Sequence, residues 1–290
     1  MPAFFMISGY TLLSKENVSA SYSFGKIVAL IRIVLLWDVV KYVLYFLLSL
    51  RYKNTGIWLL EGFTKDFFRG LIQDGTHWHF WYLGTLMIIY LCLPFLNKIC
   101  KVNRNLIAIW AVLFVVSGAL QILSYSKGYS VQRTVIQTFR LWTAFQYLLL
   151  GGIISRYKDS IKISKNILAI SYAAITFTWI GIQCFIINNE IGEVWAECYY
   201  DDFIAIIWNA ILFILILKIG ISEKFNIGIN KLAPLTFGVY IVHPLILDIM
   251  SRYIKVQGTL TAVGQYFILA LVSFVATAFL KKFASKLVKL

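Results

Sequence analysis

The sequence predicts an all-α, polytopic helical membrane protein, and three observations carry that expectation. The first is composition. Of 290 residues 60% are hydrophobic and 14% charged, with a mean hydropathy of +0.78, whereas a soluble domain is about 45–50% apolar and about 25% charged. The second is a succession of nine apolar segments separated by short polar stretches. The third is the placement of cations. Lys and Arg concentrate in alternate loops, 16 in one set against 8 in the other, as expected when the richer set is cytoplasmic. The net charge of +14 therefore reflects membrane topology and not a nucleic-acid groove.

The segments run Met1 to Leu13, Ile27 to Leu50, Trp78 to Leu96, Leu106 to Leu123, Val135 to Ile154, Ile167 to Ile187, Phe203 to Gly220, Pro234 to Ile254 and Ala262 to Leu280. The first is too short for the roughly 20 residues that cross a bilayer. The charge count places the C-terminus inside and Met1 outside. One more helix upstream would resolve that, giving ten spans in the full-length form; residues 1–290 are expected to form a single integral-membrane domain with about nine. No cleavable signal is apparent, because the apolar run starts at the first residue with no basic stretch before it.

The third segment draws attention first. His77 and His79 alternate with Trp78, and Trp81 follows. On a helix His79, Tyr82, Leu83, Leu86 and Tyr90 share one face, polar enough to look into a cavity. An interfacial aromatic belt is the plainer reading of the same residues. The outer segment 54–75 repeats Leu60, Phe63, Phe67 and Leu71 at helical spacing, with charges elsewhere on the wheel, and is expected to lie as an amphipathic helix on the surface. The loop from Asn188 to Asp202 holds five acids and no Lys or Arg, expected to be solvated.

Ionisable groups inside spans are costly unless paired or facing water, so each is a candidate. Arg32 lies near the cytoplasmic end of the second segment, where snorkelling is the alternative. Asp38 and Lys41 suit an intrahelical ion pair. Gln137, Arg140, Tyr147 and Gly151 form a polar, small-residue stripe on the fifth segment, which favours a role for Arg140. In the eighth, Thr236, Tyr240 and His243 share a face, and Pro244 removes a backbone donor and frees the Tyr240 carbonyl. The four cysteines show no ligand spacing, and no metal site is expected. Cys184 and Cys198 flank the acidic loop and could pair, though free thiols are the simpler expectation. Hydrolase, zinc-protease, Walker and dinucleotide motifs are missing from the sequence, so any chemistry belongs inside the bundle or at its mouths.

Three stretches together resemble the membrane-bound acyltransferase-3 family. PAFFMISGYTLL (Pro2 to Leu13) is similar to its second-helix signature. HFWYLGTLMIIYLCLPFL (His79 to Leu96) is similar to its His-x-Trp-aromatic-Leu opening and later Leu-Pro. TFGVYIVHPLIL (Thr236 to Leu247) is similar to its late-helix signature. The resemblance implies ten helices in the bacterial plasma membrane, amid membrane lipid. It implies transfer of an acyl group, with acetyl the expected one, from cytoplasmic acetyl-CoA or another acyl-CoA to a hydroxyl. The acceptor would be a cell-surface glycan or lipid-linked oligosaccharide. It also implies an essential His following an Arg on a first helix that would precede Met1, so the chain as written is expected to transfer nothing alone. Within the chain, Arg140 and His243 are the catalytic candidates. Lys26 and Arg32 suit the acyl-CoA phosphates. His79, Trp81 and Tyr82 suit the sugar side. A transporter or exporter of glycans or acyl groups, or a non-catalytic remnant, are the competing readings.

Overall fold

The computed structural model describes residues 1–52, 67–74, 77–186, 200–220 and 223–283. These are helical, with no strand among the described residues. The helices are α1 (Pro2–Leu12), α2 (Ala20–Tyr52), α3 (Trp81–Ile99), α4 (Asn103–Lys127), α5 (Leu141–Tyr157), α6 (Lys165–Ile186), α7 (Phe203–Lys218), α8 (Glu223–Leu232), α9 (Thr236–Tyr253) and α10 (Thr259–Phe283). Five stretches among the described residues are long and apolar enough to cross a membrane: Trp78–Ile99, Asn103–Lys127, Lys165–Phe185, Phe225–Ser251 and Thr259–Phe283. Of the other expected spans, α1 has 11 residues, α5 17 and α7 16. Large apolar side chains such as Val115 and Ile122 on α4, Ile170 and Phe177 on α6, and Leu260 and Leu271 on α10 are exposed. A multi-pass protein presents such faces to lipid.

The chain divides into two compact units. The first holds residues 1–25 and 81–220, the second 26–80 and 221–290. In the first, α1 lies along α5 with their backbones touching. A Cβ added to Gly9 would sit 1.7 Å from the Leu148 carbonyl oxygen, and one on Gly151 would sit 2.0 Å from that of Met6. Small residues allow this approach, which supplies dispersion contacts in a setting where apolar burial alone gives little drive. Around the seam Met6, Leu12, Leu148 and Leu149 are buried.

The first unit has two chemically distinct ends. At one, Arg156 donates to the carbonyls of Lys101 and Leu13 and to Asn103 Oδ1, and Lys101 donates to Asn17 Oδ1. Lys218 donates to the Ile161 carbonyl at 2.5 Å. Three cation-bearing stretches of the first unit, 98–104, 156–165 and the end of α7 at Lys218, thus meet at this end. At the other end, α4 stops at Gly128 with φ 69, a left-handed position that glycine adopts without steric cost. Two 3-10 turns, Val131–Thr134 and Gln137–Phe139, then lead into α5.

In the second unit α9 packs on α10. Leu30, Ile33, Val34 and Trp37 of α2 and Tyr240, Ile241 and Val242 of α9 are buried. Of the expected amphipathic segment, 54–66 and 75 lie outside the described residues. Residues 67–71 are helical, and Arg69 among them makes a two-pronged ion pair with Asp74 just beyond, at 2.8 and 3.1 Å.

Candidate functional site

All three histidines of the chain belong to the second unit, and the structure brings them together. His77 and His79 have ring centroids 5.8 Å apart, and His79 and His243 5.9 Å. The short 3-10 turn Trp78–Phe80 places His77 and His79. Pro244 lies inside α9 immediately after His243. Tyr240 ties the two segments together, because its hydroxyl donates to the main-chain carbonyl of His79.

His79 was expected either at an interfacial belt or on a face turned inward with Tyr82, Leu83, Leu86 and Tyr90; it is buried, at 3% exposure, as are those four. Aromatic rings on several sides exclude water from it: Trp78, Phe80, Tyr240 and His243. Neither of its ring nitrogens closes a hydrogen bond, although the main chain at Ile241 approaches. A buried polar group in that state calls for an explanation in function or a bound partner. His77 stacks on Phe80 and has its Nε2 3.8 Å from Asp38 Oδ1. Asp38, expected to pair with Lys41 along α2, thus faces a histidine; the Lys41 side chain lies outside the described residues.

His243 Nδ1 lies 2.8 Å from the Tyr240 carbonyl oxygen and 3.2 Å from that of Val239. A carbonyl only accepts, so Nδ1 carries the proton. In the neutral ring Nε2 is then the bare nitrogen, able to accept a proton. The carbonyl that Pro244 frees is the one the imidazole takes.

Arg140 belongs to the first unit. The sequence placed it within a span from Val135. The structure corrects this: the 3-10 turns occupy that stretch, and Arg140 is the residue preceding α5. Gln137, Arg140 and Tyr147 nonetheless line one small cavity of about 20 Å³, with Trp81, Thr85 and Asp201. That volume holds about one water. Gly151, the fourth member of the expected stripe, serves the α1 seam instead. Arg140 is 7% exposed, and its Nε donates to the Val135 carbonyl at 2.9 Å.

Asp201 and Asp202 are the second correction. Expected in a solvated loop, both are 3% exposed. Asp201 Oδ2 accepts from Trp142 Nε1 at 2.9 Å, and Asp202 accepts from the Tyr125 hydroxyl at 3.4 Å and Gln183 Nε2 at 3.2 Å. The pair joins α4, α5, α6 and the start of α7. Burial raises both carboxyls, Asp202 to about 7 with the neighbouring Asp201 charge adding to the effect; Arg140 acts the other way on Asp201. Sequence reasoning counted them with the other acids of a solvated loop, and their position next to an apolar helix start was the signal that set them apart.

Of the remaining candidates, Lys26 is half-buried and Arg32 exposed on α2 in the second unit. Trp81 and Tyr82 are buried in the first unit, Tyr82 against Phe4 and Phe5. A groove of about 370 Å³ at the basic end carries Lys158 and Lys218 beside Tyr10 and Ile214, with Asp159 also on its wall. Cys92, Cys100 and Cys184 are free thiols, and Cys198 lies outside the described residues. No three His, Cys, Asp or Glu side chains converge as metal ligands among the described residues.

The profile of the acyltransferase-3 family, described as an acyltransferase domain, matches residues 1–281. No curated protein and no solved structure matches the chain.

Proposed function

We propose, from the premise that this chain belongs to the acyltransferase-3 family, that it moves an acyl group from acyl-CoA to a glycan hydroxyl. Acetyl is the first group to test, and the acceptor a cell-surface or lipid-linked glycan. Such transfer departs from the expectation that the chain as written transfers nothing alone, and the observation that carries this reading is the fixed orientation of His243, with Nδ1 engaged by Tyr240 and Nε2 left as the base, among two further histidines. General acid–base work needs a positioned imidazole whose reactive nitrogen is not otherwise occupied.

In this scheme Nε2 takes the acceptor hydroxyl's proton as its oxygen bonds to the thioester carbon. The carbonyl oxygen becomes an oxyanion. Collapse of that intermediate breaks the carbon–sulfur bond, and the departing CoA thiolate recovers the proton from Nε2. A fixed donor or cation is the fitting partner for such an oxyanion; Arg140, the other catalytic candidate, belongs to the first unit and is tested on its own by Arg140→Ala. Lys26 and Arg32 are assigned to the CoA phosphates. His79 is assigned to the sugar side, as a buried wall; Trp81 and Tyr82, expected there too, belong to the first unit. By the charge count, the cation-rich loops and the C-terminus are cytoplasmic.

The test is transfer of radiolabelled acetyl from acetyl-CoA to glycan by the protein in nanodiscs. His243→Ala should remove about 10²–10⁴-fold of rate. Undiminished transfer by that variant would return His243 to a packing role.

A further inference from the structure

The second unit carries an open cleft of about 760 Å³ between α9, α10 and the turn Trp78–Phe80. Its walls include Trp78, Pro244, Asp248, Ser251, Gln257 and Gln265. Trp78 and Pro244 are the chain neighbours of His79 and His243, so the cleft opens directly beside the histidine cluster. Trp78 is 45% exposed, and its ring meets His79 edge-on with centroids 6.2 Å apart. We propose that this cleft is the acceptor site, and that it takes an uncharged, hydroxyl-rich pyranose glycan. The proposal rests on the acyltransferase reading and adds to it the place and chemistry of the acceptor.

Three features select that ligand. The volume falls within the range of small-molecule sites, so one or two sugar rings fit. An exposed indole offers a flat apolar face for the C–H side of a pyranose, and its burial then gives affinity. Gln257 and Gln265 each present a donor and an acceptor, as does the Ser251 hydroxyl, and sugar hydroxyls are both at once. Asp248 and Lys255 also line the cleft. Their opposite charges offset each other, so neither an acidic nor a basic glycan is strongly favoured. A lipid chain would suit Leu247, Ile254 and Val256 in the same walls. It would also leave two carboxamides and a carboxylate facing hydrocarbon, which is unfavourable.

The chain in nanodiscs is applied to an array of oligosaccharides built from neutral hexoses, N-acetylhexosamines and uronates, and binding of radiolabelled acetyl-CoA is measured on the same samples. Retention of neutral glycans is expected, weakened about tenfold or more in Trp78→Ala, the scale of losing an aromatic anchor. Gln265→Ala, a milder change, should weaken it less, and acetyl-CoA binding should be unchanged in both. No retained glycan, or equal retention by both variants, overturns the proposal. So does a co-purifying phospholipid that Trp78→Ala releases, which assigns the cleft to lipid. Glycan binding that depends on Trp78, in a protein that binds no acetyl-CoA, leaves the cleft standing and removes the acyltransferase reading alone.

Discussion

The imidazole of His243 donates from Nδ1 to the main-chain oxygen of Tyr240, 2.8 Å away and three residues earlier on α9. In an unbroken helix that oxygen would accept from the amide of residue 244. Proline has no amide hydrogen, so the side chain replaces the missing donor. One residue choice thereby sets both a tautomer and a ring orientation. Pro244→Ala returns an N–H that competes for the Tyr240 carbonyl. The helix should gain regularity, while His243 loses its fixed tautomer. Transfer should fall well below wild type with thermal stability equal or higher, and nitrogen-15 shifts of the His243 ring should show mixed tautomers. Full activity with mixed tautomers would separate catalysis from this hydrogen bond.

The seam between α1 and α5 predicts a sharp contrast among glycines. Gly9→Ala and Gly151→Ala each place a methyl group inside 2.0 Å of a carbonyl oxygen on the opposite helix. Backbone cannot yield as a side-chain tip can, so the helices must move apart, at a cost of about 1–3 kcal/mol or more. A Cβ on Gly118 of α4 or Gly181 of α6 meets nothing within 4 Å. Alanine at those two helical positions should be neutral or stabilising by about 0.5–1 kcal/mol. Melting temperatures of the four variants in detergent check both halves of the contrast.

Much of the second unit's chemistry was legible in part. The face shared by Tyr240 and His243, and the carbonyl that Pro244 frees, follow from helix period and proline chemistry alone. The group that fills the carbonyl does not, because an imidazole can point toward several neighbours. The meeting of His79 with His243 joins residues far apart in the chain, and no periodicity reports such a contact. Around Arg140 the helical stripe was half right for the wrong reason. Gln137, Arg140 and Tyr147 do share a cavity wall, but 3-10 turns and not an α-helix deliver the first two there. Asp201 and Asp202 were counted as solvated because three other acids share their loop. Burial of a carboxylate depends on donors from other helices, here Trp142, Tyr125 and Gln183.

Arg32 offers a test of the donor side. Exposed on α2, it can reach phosphate without leaving its helix. Arg32→Ala should weaken acetyl-CoA binding, and Arg32→Lys should recover part of it, since an ammonium attracts phosphate without the two-pronged geometry of guanidinium. Equal affinities in wild type and Arg32→Ala, measured by titration at one fixed salt concentration, would leave Arg32 as a snorkelling residue.

The two ends of the first unit allow the orientation to be read directly. Lys162 lies in the loop at the cation-rich end, and Tyr129 lies beside the αL turn at the opposite end. With cysteine at one position in a background lacking the native thiols, an impermeant maleimide on intact cells should label position 129 and spare 162. The reverse pattern would invert the topology and move the CoA phosphates to the other face.

Asp202 ties stability to pH. Its carboxyl ionises near the ordinary 3.8 when the chain is unfolded and near 7 when folded, raised first by burial and then by the charge of Asp201. Between those values the folded protein holds a proton that the unfolded one has lost. This group's contribution is therefore fully present below about pH 4, declines as pH rises through that window, and levels off above about 7. The shift corresponds to a few kcal/mol at most, at about 1.4 kcal/mol per pH unit. Asp202→Asn keeps a neutral group in place at every pH. Its carboxamide oxygen can still accept from Tyr125, and Gln183 can turn its own amide to present an oxygen to the new NH₂. The wild-type melting temperature should fall between pH 5 and pH 8 by several degrees more than that of Asp202→Asn, with the variant the more stable of the two at pH 8. Asp201→Asn should reproduce part of the effect, because it removes the neighbouring charge and lets Asp202 ionise more readily. Parallel pH profiles for wild type and Asp202→Asn would show that Asp202 is ionised in the folded protein across this range, and that Tyr125 and Gln183 bind a carboxylate.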